Sequence, residues 1–84
     1  MARVLVYTRP QCPFCVGAKA LLRRKGVPFE EIDVGADATL REKMIEESGR
    51  RTVPQIFIND VSIGGFEELR ALDQDGRLDR LLAA

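Results

Sequence analysis

Hydrophobic and polar positions change period several times along the chain. Residues 3–8, Arg-Val-Leu-Val-Tyr-Thr, are β-branched and aromatic enough to predict a buried strand, and Pro10 and Pro13 punctuate the segment after it. From Pro13 the apolar positions Phe14, Ala18, Leu21 and Leu22 recur at helical spacing. Pro13 suits a first helical turn, and Gly26 followed by Pro28 stops the helix. Phe29 to Val34 mixes apolar Phe29, Ile32 and Val34 with acidic residues, a strand whose distance from the first fits a β-α-β crossover. The two strands are therefore predicted to be parallel neighbours.

The second half continues the pattern. Asp37 or Thr39 can cap a second helix, with Thr39 and Glu42 at capping-box spacing, a narrow apolar face of Leu40, Met44 and Ile45, and Gly49 as the stop. Gln55 to Ile58 and Val61 to Ile63 are short apolar runs joined by Asn59-Asp60, a dipeptide that predicts an antiparallel hairpin. After Gly64-Gly65, Phe66, Leu69 and Leu72 mark a helix, and Leu78, Leu81 and Leu82 beyond Gly76 mark a short final one. The predicted order is β-α-β-α-β-β-α-α, an α/β fold with one four-stranded mixed sheet and helices on both faces. Without repeats, low-complexity stretches or a linker, residues 1–84 read as a single domain.

Charge narrows the function. Thirteen basic residues balance thirteen acidic ones, and no helix carries a one-sided basic run with interleaved aromatics, so a nucleic-acid partner is not indicated. The apolar run at the start is broken by Thr8, Arg9 and Pro10, too early for a signal peptide, and no later stretch is long enough to span a bilayer. A cytoplasmic protein without a membrane partner is expected. In that reducing compartment the two cysteines need a chemical explanation, because a Cys12–Cys15 disulfide closes too small a loop to restrain the unfolded chain much.

That explanation is thiol exchange. Cys-x-x-Cys at the end of a first strand and the mouth of a helix, within β-α-β, is a strong signal. Exchange requires a thiolate, and a helix N-terminus offers unpaired N–H groups and a partial positive charge that stabilise it. Arg9 adds positive charge near the same sulfur, making Cys12 the attacking thiolate. Cys15, one turn inside and expected to be buried by Phe14 and its neighbours, is the resolving thiol. A closed zinc site is disfavoured: it needs four ligands, and two cysteines with no histidine do not supply the usual set.

Along nearly its whole length the chain resembles the dithiol glutaredoxins, especially small bacterial ones. The likeness rests on Tyr7-Thr8 and a basic residue before Cys12-Pro13-Phe14-Cys15, then Thr52-Val53-Pro54, then Gly64-Gly65 leading into an acidic pair. It implies a thioredoxin-like fold, a cis bond before Pro54, and glutathione as reductant and co-substrate with no tightly bound cofactor or metal. The resemblance assigns Arg9 and Arg41 to the glycyl carboxylate of glutathione and the Val53 backbone to its cysteinyl unit, counts Thr52 and Pro54 among the glutathione-binding residues, and keeps Phe14 as an aromatic wall. Gly65, Phe66 and Glu67 are assigned to the γ-glutamyl end: a helix N-terminus for the carboxylate and an acid for the ammonium. Expected partners are disulfide-containing or glutathionylated proteins, ribonucleotide reductase among the candidates, and the expected state is a monomer.

Each element also has a plain structural reading. Arg9 and Arg41 fit solvated surface positions, Pro54 the start of an edge strand, Gly64-Gly65 a turn, Phe66 the core, and Glu67 a complement to the helix dipole. Three residues depart from the family's habit. Phe14 replaces a common Tyr, Arg9 a common Lys, and the bulky Phe66-Glu67-Glu68 stands where a small residue or an extra Cys precedes two Asp. Two rivals share the motif. A hydrogen donor served by thioredoxin reductase usually has Gln before the second Cys and lacks the Gly-Gly signature; a glutathione-ligated iron-sulfur carrier is disfavoured by Pro13.

Overall fold

β1 (Val4–Thr8) runs through the middle of the protein, and the computed structural model describes residues 2–83. α1 (Pro13–Arg24) returns the chain so that β2 (Glu30–Asp33) lies parallel to β1, with Tyr7 opposite Ile32. α2 (Ala38–Ser48) crosses the sheet and leads to β3 (Gln55–Ile58), antiparallel to β1 with Val6 opposite Ile56. β4 (Val61–Gly64) pairs back on β3, completing a four-stranded sheet in the order β2-β1-β3-β4. α3 (Phe66–Gln74) and α4 (Arg77–Ala83) close the chain. The hairpin forms as its dipeptide predicts: Asn59 and Asp60 both adopt positive φ, 51° and 67°, the backbone hand that matches strand twist.

Alternation along the strands divides the interior. Val4, Val6, Ile56 and Ile58 face one side, where Ala18, Leu21 and Leu22 of α1, Leu69 of α3, and Leu78 and Leu82 of α4 pack on them. Tyr7 and Phe57 face the other side and meet edge to face with ring centroids 5.7 Å apart, in a smaller cluster with Val34 and Met44. The two-faced arrangement read from the sequence is what forms. Lys25, just past α1, ties the larger side together through Asp73 at 2.6 Å and Asp79 at 2.9 Å.

Of the two caps available to α2, the chain uses Asp37. Its Oδ1 accepts from the N–H groups of Thr39 and Leu40 at 3.0 and 3.1 Å, and Thr39 lies inside the helix. The cap falls there because Asp37 is the last residue with extended backbone, φ −131°, and only from that conformation can a side chain fold back onto the first turn. Gly49 ends α2 at φ 73°, as expected for a left-handed stop. Asp37→Ala is expected to cost roughly 0.5–2 kcal/mol, measured as a lowered urea midpoint with unchanged slope.

Candidate active site

Cys12 is the N-cap of α1, and Pro13 opens the helix immediately after it. Gln11, at φ 57°, turns the chain from the end of β1 so that the cysteine meets the helix mouth. Cys12 Sγ accepts the Cys15 N–H at 3.2 Å, one of the donors that a helix start leaves free. The two cysteines are joined in a disulfide, with Cα atoms 5.2 Å apart. Cys12 retains 6% of its surface and Cys15 2%, so both residues are buried, Cys15 the more deeply. Cys15 is buried because it shares the inward face of α1 with Ala18 and Leu22, three and seven residues on.

Three segments converge on the pair. The carbonyl oxygen of Val53 stands 3.8 Å from Cys12 Sγ, and the Val53–Pro54 peptide bond is cis, as the resemblance implied. Gln55 supports this loop from below: fully buried, it donates through Nε2 to the Thr52 carbonyl at 2.9 Å and to Thr52 Oγ1 at 3.3 Å.

Thr52 and Val53 form the partition between two depressions. One, of about 280 Å³, is lined by Phe14, Arg50, Thr52, Val53, Pro54, Gly65, Phe66, Glu67 and Glu68. The other, of about 300 Å³, is lined by Arg9, Val34, Gly35, Arg41, Arg51, Thr52 and Val53. The candidate residues outside the disulfide therefore fall into two groups that meet at one dipeptide. The arrangement is a groove with the guanidinium groups of Arg9, Arg41 and Arg51 at one end, a helix N-terminus and the Arg50–Glu68 pair at the other, and Val53 beside the sulfur between them.

The glutaredoxin family model matches residues 4–63. The chain belongs to the glutaredoxin family. It is 55% identical over 82 residues to Glutaredoxin 3 of Escherichia coli strain K12, covering 98% of this chain and 99% of that one. Among solved structures it resembles the solution structure of glutaredoxin from Brucella melitensis, with 56% identity, a TM-score of 0.86, and 98% and 89% of the two chains covered. It also resembles a buckwheat glutaredoxin–glutathione complex, with 25% identity, a TM-score of 0.89, and 98% and 77% covered. As a glutaredoxin, the chain is a thiol–disulfide oxidoreductase with a thioredoxin-like fold, and Cys12 and Cys15 are its redox-active pair.

Details of this glutaredoxin differ from the sequence reading. Phe14 is not buried along with Cys15; it is 59% exposed. Its ring lies 6.3 Å from that of Phe66, tilted by 33°. Phe66 in turn rests on Gly17, where an added Cβ would come within 3.0 Å of Phe66 Cζ. Glu67 faces outward and pairs with Arg70 at 3.0 Å. Its neighbour Glu68 instead accepts from the Gly65 N–H at 2.7 Å and from Arg50 Nη1 at 2.9 Å. Gly64 adopts φ 113°, a backbone conformation that favours glycine, and a Cβ there would also displace the Glu68 carboxylate, 2.8 Å away at Oε1. Arg50, Arg51 and Glu68 were not among the candidate site residues. The spacing of Gly65 and Glu68 carried a signal, since an acid three residues past an N-cap reaches back to the cap N–H.

The Gly65 N–H foremost, and Arg50 after it, hold the Glu68 carboxyl below its ordinary range. A carboxylate favoured in the folded state adds stability that is fully present above the unfolded pKa, about 4.3, and is lost as pH falls through the folded value. Stability should therefore decline below about pH 4.3, partly through Glu68. The decline is expected to be shallower in Glu68→Gln, measured by urea unfolding between pH 3 and 7. Among the described residues, no helix is long and apolar enough to cross a membrane, and no group of three or more His, Cys, Asp or Glu residues could hold a metal ion.

Proposed function

We propose that the chain reduces protein disulfides and protein–glutathione mixed disulfides with glutathione as co-substrate. The observation that carries this reading is the groove itself, whose central carbonyl lies 3.8 Å from Cys12 Sγ and whose ends differ in chemistry. Glutathione is an extended peptide with a carboxylate at each end and one ammonium. Arg9 and Arg41 suit the glycyl carboxylate, and the Val53 backbone suits the cysteinyl unit in strand-like pairing. At the far end the Gly65 N–H is already used by Glu68. The γ-glutamyl carboxylate is left the N–H groups of Phe66 and Glu67, which a helix start leaves without intrahelical acceptors. Glu67 takes the ammonium, exchanging its surface pairing with Arg70, and Phe14, Thr52, Pro54 and Phe66 form the walls.

In the mixed-disulfide reaction the Cys12 thiolate attacks the glutathione sulfur, the protein thiolate leaves and is protonated, and glutathione stays bound through its sulfur to Cys12. A second glutathione displaces the first as oxidised glutathione and restores the thiolate. With a protein disulfide, Cys12 forms a mixed disulfide with the protein and Cys15 resolves it. The resulting Cys12–Cys15 disulfide is reduced by two glutathiones. We place this chemistry in the cytoplasm, carried out by a monomer, with ribonucleotide reductase among the acceptors to test. The test is turnover of a glutathionylated peptide with glutathione, NADPH and glutathione reductase, beside the same assay with thioredoxin reductase substituted. Turnover with the glutathione system alone is expected; turnover only with thioredoxin reductase overturns the proposal.

A further inference from the structure

The cationic end of the groove carries more positive charge than one carboxylate needs. Arg9, Arg41 and Arg51 are all exposed and line the same cavity of about 300 Å³, although the chain has no net charge. They arrive from three places: the loop after β1, the first turns of α2, and the residue before Thr52-Val53. Among the described residues, ion pairs engage Arg3, Lys19, Lys25, Arg50, Arg70 and Arg77, and none engages these three. Three nearby acids do not change this. Glu42 and Glu46 share an adjoining cavity with Arg41 and Arg51 without pairing to them. The carboxylate of Asp33, close to the lining, is turned to the Gly35 N–H at 2.7 Å.

We propose that this pocket selects polypeptide disulfides in which the attacked cysteine is followed, within two residues, by acidic side chains, and that Arg51 is the residue that sets the preference. The inference rests on the direction of glutathione binding under Proposed function, with the unit after the cysteine running toward Arg9 and Arg41. Glutathione ends there in a carboxylate. A polypeptide passing through the same groove has a neutral amide at that point and must supply negative charge from a side chain at that residue or the next. Arg51 directly precedes the Thr52-Val53 backbone on which the substrate lies, so it follows the substrate chain outward rather than the sulfur. The chemistry is unchanged: the Cys12 thiolate bonds to the substrate sulfur, the partner cysteine leaves as a thiolate and takes a proton from water, and the Cys15 thiolate displaces the substrate from Cys12. Two electrons pass from the dithiol to the substrate disulfide.

The experiment uses pre-reduced protein without glutathione, so its failure is distinct from failure of glutathione dependence. Symmetric disulfides of three short peptides serve as substrates: acids after the cysteine, the corresponding amides after it, and acids before it. Released thiol is measured by acid quench, and each rate is divided by that of dithiothreitol on the same peptide, removing intrinsic effects of charge on the leaving thiol. The peptide with acids after the cysteine is expected to react about tenfold faster than the amide peptide at low ionic strength. That advantage should collapse near 0.5 M salt, where screening lengths fall to roughly 4 Å, and should vanish or invert in Arg51→Glu. Equal normalised rates for acidic and amide peptides, an equal advantage for acids before the cysteine, or an undiminished preference in Arg51→Glu would each overturn the proposal.

Discussion

Cys12→Ser is expected to lose activity on every disulfide substrate by at least roughly a thousandfold, the scale seen when a covalent nucleophile is removed. Cys15→Ser is expected to lose the reduction of protein disulfides while retaining turnover of glutathione mixed disulfides. The asymmetry follows from position. Cys12 is the N-cap, its sulfur accepts a helix-start N–H at 3.2 Å, and it lies against the Val53 carbonyl at the centre of the groove. Cys15 is 2% exposed on the inward face of α1 and reaches an outside disulfide only through Cys12. A serine hydroxyl cannot replace a thiolate as nucleophile at neutral pH, so no bypass exists at position 12. Side-by-side assays of both variants on a glutathionylated peptide and a protein disulfide decide the matter. Residual full activity in Cys12→Ser, or loss of both activities in Cys15→Ser, contradicts the assignment.

Leu69→Ala is expected to damage both stability and the glutathione end of the site. Leu69 is fully buried where α3 meets the sheet and α1, and removing a buried leucine side chain costs about 2–5 kcal/mol in transfer free energy and cavity formation. In a domain of this size each kcal/mol lowers the melting temperature by about 4–8 °C, so a fall of at least roughly 8 °C is expected with the cysteines held oxidised. The loss also reaches the site, because Leu69 anchors the helix whose first turn carries Phe66 and Glu67. A raised KM for glutathione with little change in kcat should accompany it, whereas Leu82→Ala on α4 should lower stability without that change.

Much of the fold was legible because its signals are local. Pro13, Gly49 and Asn59-Asp60 each act through their own backbone angles, and residues 3–34 hold a continuous apolar run that is buried on both faces of β1 and a helical period that buries one face of α1. The cysteine pair was legible for the same reason, since both its spacing and the helix mouth are written in consecutive residues. The features that were missed depend on contacts across the chain. Glu68 reaches Arg50 over eighteen positions, and a sequence pattern does not announce such a pairing. Phe14 was expected to help bury Cys15, yet it is itself 59% exposed, while Cys15 shares the inward face of α1 with Ala18 and Leu22. Glu67 and Glu68 are chemically alike, and only the direction of the first turn of α3 sends one to Arg70 and the other to the Gly65 N–H. Arg51 has no signature in isolation and acquires one only when folding brings Arg9 and Arg41 beside it.

The helices framing the groove are not equally anchored. α1, which carries the cysteines, buries Cys15, Ala18, Leu21 and Leu22, whereas Met44 is the one residue of α2 buried to that degree. Opening free energies follow buried apolar contact, so local opening of α2 is expected to cost less than that of α1, as it is for α3, whose one such residue is Leu69. Arg41 rides on α2. The sulfur thus sits on the firmly anchored helix and Arg41 on a lightly anchored one, so a carboxylate held by Arg41 is expected to bear an ordering cost. Because binding to the closed form draws the equilibrium toward it, capture of that carboxylate and closure of α2 on the sheet are linked: a ligand that engages Arg41 also suppresses exchange of the α2 amides with solvent.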